Sequence, residues 1–317
     1  MAGNKAIEVS VEGQNARDIA AQAGFVTKPV SPKYRDLGGT LSEKQRARAL
    51  VKAFLEIAPV RNVIDLGKPF RPYRRLLNSC LPSRLKFRGV YSSFAEARAS
   101  APRGAQVGYD HEGVASVHEW QADVTLASDY PAMFWISKCL RNASRLFDFG
   151  GNVGVSFYAW QHYLSYRDDL RWLVCDLPAV TRRGRQLALA RQESRISFTS
   201  RFDEIEGFDV LLTSGTLQNV ETPIAQLLSA IRSLPQHIVI NRTPLNASRA
   251  GVTLLNTGEV ISPYNVFHRD NFITELESLG YKLIDAWSND DHCCWIPFYP
   301  EYSVESYSGL YFQRERK

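Results

Sequence analysis

Short apolar runs recur along the chain, separated by longer stretches in which apolar residues return every three or four positions. Leu146–Phe149, Trp172–Cys175, Ile196–Phe198, Gly207–Thr213 and His237–Ile240 have strand length, and the windows between them carry helical periodicity. Ser128 or Asp129 caps a helix that has Pro131 in its first turn, where a missing N–H costs nothing, and Ala132, Trp135, Ile136, Cys139 and Leu140 form its buried face. Val155–Leu164 predicts the helix after the next strand, with Phe157, Trp160 and Tyr163 packed on the sheet. Pro178 begins another helix, which carries Leu187, Ala188 and Ala190 in its last turns. Pro223 begins one with Ile224, Leu227, Leu228 and Ile231. Gly207-Phe-Asp-Val-Leu-Leu-Thr213 is nearly all apolar, as a strand buried on both faces should be. This alternation predicts a mainly parallel α/β sheet with helices on both faces.

The remaining stretches are less regular. Arg269 to Leu279 is helical and Gly280 ends it; Tyr281–Trp287 then alternates as a strand. Cys294–Phe298 and Ser308–Phe312 supply the last strand material, and with only a short connection and no helix between them they predict a terminal antiparallel hairpin. Residues 246–263 read as a polar connector, and 87–118 as irregular apart from a short helix capped by Ser93. Upstream, Ser42 and Gln45 have capping-box spacing before the stripe Ala47, Leu50, Val51, Phe54 and Leu55, which Pro59 ends. The plan is a flexible arm over residues 1–38, a mostly helical extension or lid over 39–128, and a Rossmann-like domain over 129–317 with seven strands.

Two Gly-bearing turns compete for the ligand. Asn62-Val-Ile-Asp-Leu-Gly67 runs into Lys68-Pro-Phe-Arg-Pro72, whose prolines cannot open a helix, and is rejected. Arg145-Leu-Phe-Asp-Phe-Gly-Gly-Asn-Val-Gly154 runs from a strand through glycines into a helix, which brings unpaired N–H groups beside the sheet's carboxyl edge. Asp148 ends that strand, and a carboxylate there suits a cationic or hydroxylated group and repels a pyrophosphate. Asp176 ends the next strand. In βαβ nucleotide sites an acidic residue about 20 residues past the glycines bonds ribose hydroxyls; here the spacing is longer, in keeping with a longer first helix and loop. Ligands in open α/β sheets sit outside the carboxyl ends of the strands, so Asp148, Asp176 and Ser214–Asn219 should meet.

Asp-Phe-Gly-Gly-Asn-Val-Gly followed by Cys-Asp-Leu-Pro resembles motif I and the acidic second-strand end of class I S-adenosylmethionine-dependent methyltransferases. With Tyr91-Ser-Ser-Phe-Ala-Glu-Ala97, Gly108-Tyr-Asp110, Ser214-Gly-Thr-Leu-Gln-Asn219 and Asn241-Arg-Thr-Pro-Leu245, the chain is similar to a little-characterised bacterial family of such proteins, associated with surface polysaccharide or secondary metabolite clusters. The resemblance covers about residues 88 to 285. It implies S-adenosyl-L-methionine as cofactor and a closing antiparallel hairpin. It also places the methionine part in the Gly150–Gly154 turn, with its amino group near Asp148 and the ribose hydroxyls on Asp176. The expected cofactor contacts are Asp148, Gly150, Gly151, Asn152, Gly154, Asp176, Leu177, Ser214 and Gln218. Asn152 stands where many methyltransferases have glycine, a departure that a left-handed backbone tolerates.

Composition narrows the partners. The chain has 317 residues, 44% of them hydrophobic and 22% charged, the balance of an ordinary soluble globular protein. It carries no run of the ~20 apolar residues that span a bilayer and no signal-peptide core at its start, so a cytoplasmic location is expected. The net charge of +5 comes without a basic run interleaved with aromatics, which argues against nucleic acid. Cys80, Cys139, Cys175, Cys293 and Cys294 lack metal-ligand spacing and read as reduced thiols; no metal is expected. The oligomeric state stays open, a homodimer included.

Methyl transfer from a sulfonium is an in-line displacement, so alignment and exclusion of water dominate. A hydroxyl acceptor often needs a base within hydrogen-bond reach as well. O-methyltransferases with a similar Asp-Leu-Pro strand end place a histidine after the fourth strand, where this chain has Gln218. His268 is the first candidate to replace it, with His162 and His292 as others. Tyr109, Asp110, Asn219 and Tyr264 are expected to line the pocket of a small-molecule or glycan-linked acceptor, methylated at oxygen sooner than at nitrogen or carbon. Three other readings stand beside this one. A nicotinamide-dependent oxidoreductase lacks its G-x-G-x-x-G fingerprint here. A non-catalytic methyltransferase-like binding protein is kept open by the missing histidine. A plain structural α/β domain is disfavoured by the two acidic strand ends.

Overall fold

A computed structural model describes residues 87–101, 108, 122–256 and 261–314. The expected arm, the Ser42 helix, the Asn62–Gly67 turn, Cys80, Tyr109 and Asp110 lie outside the described residues. With strands numbered in chain order, the larger of two sheets contains β2 (Arg145–Phe149), β3 (Arg171–Cys175), β4 (Ile196–Thr199), β5 (Val210–Ser214), β6 (His237–Thr243), β10 (Tyr281–Asn289) and β11 (Tyr307–Arg314). The smaller contains β1 (Phe87–Tyr91), β7 (Leu245–Asn246), β8 (Gly251–Asn256) and β9 (Ile261–His268).

The larger sheet has the spatial order β10-β11-β6-β5-β2-β3-β4. β2 pairs in parallel with β3 and β5, β3 with β4, and β5 with β6; β11 runs antiparallel to both β6 and β10. From β2 the chain steps outward to β3 and β4, then returns across the sheet to β5. The topological switch therefore falls at the carboxyl ends of β2 and β5, where a crevice opens. This is the mainly parallel Rossmann-like sheet that the alternating pattern predicts.

The helices are α1 (Phe94–Ala99), α2 (Tyr130–Cys139), α3 (Val155–Trp160), α4 (Pro178–Ala190), α5 (Ile224–Ser229) and α6 (Arg269–Glu277). Side chains alternate across each strand, and two cores follow. Val210 and Leu212 of β5 join Ile136 of α2, Phe157 and Trp160 of α3 and Val180 of α4. Leu211 joins Ile224 and Leu228 of α5 and Phe272 and Leu276 of α6 on the other face. Each such buried side chain contributes about 1.5–3 kcal/mol, so the strand ends that carry the polar residues rest on a doubly packed platform.

Four expectations need correction. Tyr163 is 57% exposed because α3 stops at Trp160 and the following turn swings it outward against Tyr130, with ring centroids 5.7 Å apart. Cys294–Phe298 is not a strand: Cys294 makes one isolated antiparallel bridge to Val304. Pro297 has no N–H to give a ladder, and Phe298 takes φ +70°. The closing hairpin is antiparallel as expected, but residues 290–306 make a long connection and β11 lies inside the sheet, leaving β10 at the edge.

The fourth correction concerns residues 87–91 and 246–263, read as irregular and as a connector. They build the small sheet, ordered β1-β8-β9-β7. β8 pairs antiparallel with β9 and with β1, and Thr253 donates from Oγ1 to the carbonyl of Gly89 at 2.7 Å. Phe87, Leu255, Tyr264 and Val266 of this sheet pack with Cys294, Ile296 and Val304 of the long connection and with Tyr307. Together these segments form a cap whose residues share a cavity with the switch point.

Candidate active site at the carboxyl edge

The loop after β2 depends on three glycines in left-handed backbone or close contact. Gly150 has φ +74°, and a Cβ there would lie 2.1 Å from Thr216 Oγ1. At Gly151 a Cβ would lie 2.3 Å from Asp148 Oδ2, and at Gly154, with φ +93°, 2.5 Å from Ile196 Cδ1. The loop is thus folded down onto the turn after β5, onto the end of β2 and onto β4. Asn152 takes φ +56°, the conformation its side chain tolerates, and its Oδ1 accepts from the Val153 N–H at 2.8 Å.

Beneath this loop Asp148 is buried, 1% exposed. Its Oδ2 accepts from Trp172 Nε1 at 3.1 Å, while Oδ1 has no hydrogen-bond partner. Burial pushes its carboxyl up to about 7; the Trp172 bond opposes that shift and the charge of Asp176 adds to it. Asp176 is half-buried at the end of β3. It accepts from the Asn152 N–H at 2.9 Å and from the Leu177 N–H at 2.7 Å, which ties the loop to the neighbouring strand.

After β5 the chain turns through Ser214, Gly215 and Thr216 into a 3₁₀ turn, Leu217–Asn219. Gln218 is buried there; its Nε2 donates to the Arg242 carbonyl at 3.2 Å and its Oε1 is unpartnered. Asn219 Nδ2 donates to the Gly215 carbonyl at 3.4 Å. Arg242, just beyond Asn241 on β6, holds φ +54° and forms an ion pair with Asp129. Asp129 stands at the cap position of α2, but its carboxylate does not cap that helix: it accepts from the Leu126 N–H at 2.9 Å and from Arg242.

These groups line one cavity of about 940 Å³, within the size range of small-molecule sites. The sheet edge supplies one wall with Asp148, Gly150, Gly151, Asn152, Asp176, Leu177, Ser214, Gln218 and Asn219, all expected from the sequence. The cap supplies Tyr264, also expected, with Tyr307, Asp291, His292, Cys293 and Trp295. Tyr264 and Tyr307 share a hydrogen bond between hydroxyls at 2.8 Å, and His292 Nδ1 lies 2.9 Å from Asp291 Oδ1. Gly154 supports the loop from below and is not on the wall.

His268 is not on the cavity wall. It ends β9 as the N-cap of α6, where Nδ1 accepts from the Asn271 N–H at 3.4 Å, so a base role for it has no geometric support here. His162 is exposed and also absent from the wall. The Asp129–Arg242 pair, Asp291, Trp295 and Tyr307 were missed by sequence reasoning. Arg242 lies inside Asn241-Arg-Thr-Pro-Leu245, one of the segments that carried the resemblance, and that was the available signal.

Cys139, Cys175 and Cys294 are buried free thiols, with burial raising all three, Cys139 to about 11 and Cys175 to about 12. Among the described residues no cluster could hold a metal ion, and no helix is long and apolar enough to cross a membrane.

No family model matches the chain, and no curated protein matches it. Solved structures superpose on it in part. The Burkholderia thailandensis 1,6-didemethyltoxoflavin-N1-methyltransferase, with its substrate and S-adenosylhomocysteine, is 17% identical with a TM-score of 0.42; the match covers 68% of this chain and 95% of that one. The N-terminal domain of EvdMO1, with S-adenosylhomocysteine bound, is 13% identical with a TM-score of 0.44 and covers 78% and 97%. The magnesium protoporphyrin IX methyltransferase of Synechocystis, with S-adenosylmethionine, is 12% identical with a TM-score of 0.40 and covers 65% and 93%. The strand order described above, independent of these partial superpositions, defines the fold class.

Proposed function

We propose that this chain is an S-adenosylmethionine-dependent methyltransferase acting on a small-molecule or glycan-linked acceptor, at oxygen. The observation that carries this reading is the unpartnered Oδ1 of buried Asp148 beneath the glycine loop. A buried carboxylate oxygen without a donor is costly, and the ammonium of the cofactor's methionine part would supply one. A dinucleotide pyrophosphate would meet the same carboxylate with like charge, which disfavours the oxidoreductase reading.

The other residues fit the same group. Asp176, which holds Asn152 and Leu177, lines the same cavity at the end of β3, where its carboxylate would meet the ribose hydroxyls. Leu177 and Phe202 offer apolar surface on the same wall for the adenine. When bound, S-adenosylmethionine supplies an electrophilic methyl group on a sulfonium. The protein's part is to orient the acceptor toward that carbon and exclude water. Gln218 offers its amide to the cofactor and Asn219 its amide to the acceptor, with Tyr264, Tyr307 and Trp295 as an aromatic cover. Calorimetry of the full chain with S-adenosylmethionine, S-adenosylhomocysteine and NADPH tests the reading. Binding of the first two and not the third is expected, followed by a gain of one methyl group on an acceptor by mass spectrometry. NADPH binding alone would overturn it.

A further inference from the structure

The wall supplied by the cap holds a carboxylate–imidazole pair that the cofactor site does not use. Asp291 and His292 begin the connection between β10 and β11, and both line the cavity. The His292 backbone is pinned twice: its N–H donates to the Asn289 carbonyl at 3.1 Å, and its carbonyl accepts from the Tyr307 N–H at 3.1 Å. Asn289 is buried and donates to Asn241 Oδ1 at 3.0 Å, so this turn is anchored on the end of β6. The imidazole ring lies 5.8 Å from the Tyr307 ring, centroid to centroid.

The pairing fixes the chemistry of the ring. An ionised carboxylate only accepts hydrogen bonds, so across the 2.9 Å contact Nδ1–H donates to Asp291 Oδ1 and the neutral ring keeps its lone pair on Nε2. Burial works against the Asp291 charge, but the hydrogen bond from His292 helps hold its carboxyl below the usual range and hence ionised. A base oriented by a carboxylate is the arrangement that proton abstraction requires. The His292 side chain is 33% exposed, which leaves a route for the proton to solvent.

We infer that His292, oriented by Asp291, takes the proton from a hydroxyl acceptor bound against the cap. The inference rests on the methyltransferase reading above and adds the acceptor class and its base. In the step, the acceptor O–H bond gives its proton to Nε2 and an oxygen lone pair forms the bond to the methyl carbon. The sulfur–methyl bond breaks with its electron pair on sulfur, which becomes a neutral thioether. The imidazolium then loses its proton to water. Asp291 is a positioning residue here. The other ionisable groups on this wall are Tyr264, Cys293 and Tyr307, with Asp129 and Arg242 already paired to each other and Asp148 and Asp176 on the opposite wall.

The test needs no identified acceptor. In full-length protein labelled at histidine, the His292 signal is assigned by its loss in His292→Gln. Its two ring-nitrogen shifts are then compared with saturating S-adenosylmethionine and with saturating S-adenosylhomocysteine. The ring should carry its proton on Nδ1, and the Nε2 signal should differ between the two complexes, because a sulfonium faces it in one and a neutral thioether in the other. Asp291→Asn should shift the ring toward the Nε2–H tautomer and leave S-adenosylhomocysteine affinity within about twofold. The same Nε2 signal in the two complexes, or an Asp291→Asn protein whose His292 tautomer is as before, would overturn the inference while the cofactor reading stands. Absence of heat with either ligand would defeat the cofactor reading itself, and this inference with it.

Discussion

The sheet edge that carries Asp148 and Asp176 is assembled from neighbours in sequence, strand to loop to helix. The cap that faces it joins segments as far apart as Thr253 and Gly89, 164 residues from one another. On the edge, function is written in backbone geometry: left-handed residues, loop contacts near van der Waals limits, and a carboxylate held under glycine. On the cap it is written in side chains: Tyr264 and Tyr307, which also pack its core, and Asp291, His292 and Trp295, which line the cavity. The difference predicts that edge mutations abolish cofactor binding, whereas cap mutations spare it and act on the acceptor.

The largest contrast is between two glycines. Gly150→Val forces a β-branched residue to φ +74° with its Cβ 2.1 Å from Thr216 Oγ1. The loop must lift from the turn after β5, and its cover over Asp148 goes with it. The damage thus comes through the loop's fold before any contact with ligand. S-adenosylhomocysteine affinity should fall more than about 100-fold, or roughly 2.7 kcal/mol, by calorimetry. Gly251→Ala in the cap meets the Tyr302 ring at 3.1 Å with no left-handed backbone, and should change that affinity less than about twofold. Equal losses in the two variants would erase the distinction between the walls.

Asp148 makes the edge sensitive to pH. Its carboxyl sits near 7 in the folded chain against an ordinary 3.8, because burial penalises the charge. The folded state therefore holds this proton more tightly than the unfolded chain. Its contribution to stability is fully present below about 4 and is lost as pH rises through about 7, with an upper bound of about 4 kcal/mol. Urea midpoints of the unliganded protein at pH 5 and pH 8 should show that fall, and Asp148→Asn should flatten it. Ligand binding runs the other way. The ammonium of S-adenosylhomocysteine requires the carboxylate, so affinity should rise as pH passes through about 7, and Asp148→Asn should remove the rise. A slope unchanged in the mutant would show that another group carries it.

Asp176→Ala comes next. It removes the acceptor of the Asn152 and Leu177 N–H bonds and the proposed ribose contact together. Calorimetry should show S-adenosylhomocysteine affinity weaker by about 1–3 kcal/mol. Unchanged affinity would mean that the ribose lies elsewhere.

The same contrast decides what could be read from the chain. β2 to β6 and the starts of their helices follow from local periodicity, from Pro131 and Pro178, and from the Gly150–Gly154 run. Asp148, Asp176 and Ser214–Asn219 come together in the sequence for that reason, since a strand end declares itself, whereas the cofactor contacts of the Gly150–Gly154 turn came from the family resemblance. The Asp129–Arg242 pair spans 113 positions, and nothing local marks Arg242 as the partner of a residue that looks like a helix cap. β8 hides its Val252–Leu255 run between Gly251 and a polar stretch, and its partner β1 is short. His268 stands in an aromatic segment, and its place at a strand end makes it the cap of α6. The imidazole that does reach the cavity sits on a long connection that carries no periodicity.

Thr253→Val should have the smallest effect and tests whether the cap is separable at all. Thr253 is fully buried, and its hydroxyl ties β8 to the carbonyl of Gly89 at 2.7 Å, beside a left-handed Gly89 at φ +68°. Valine keeps the shape and removes the donor, so a buried carbonyl loses its side-chain partner and stability should fall by about 1–2 kcal/mol in urea denaturation. No part of this bond touches the glycine loop or Asp176, and S-adenosylhomocysteine affinity should stay within about twofold. If affinity fell in proportion to stability, the cap and the edge would be one cooperative unit. The division of labour between backbone geometry on the edge and side chains on the cap would then fail at its weakest predicted joint.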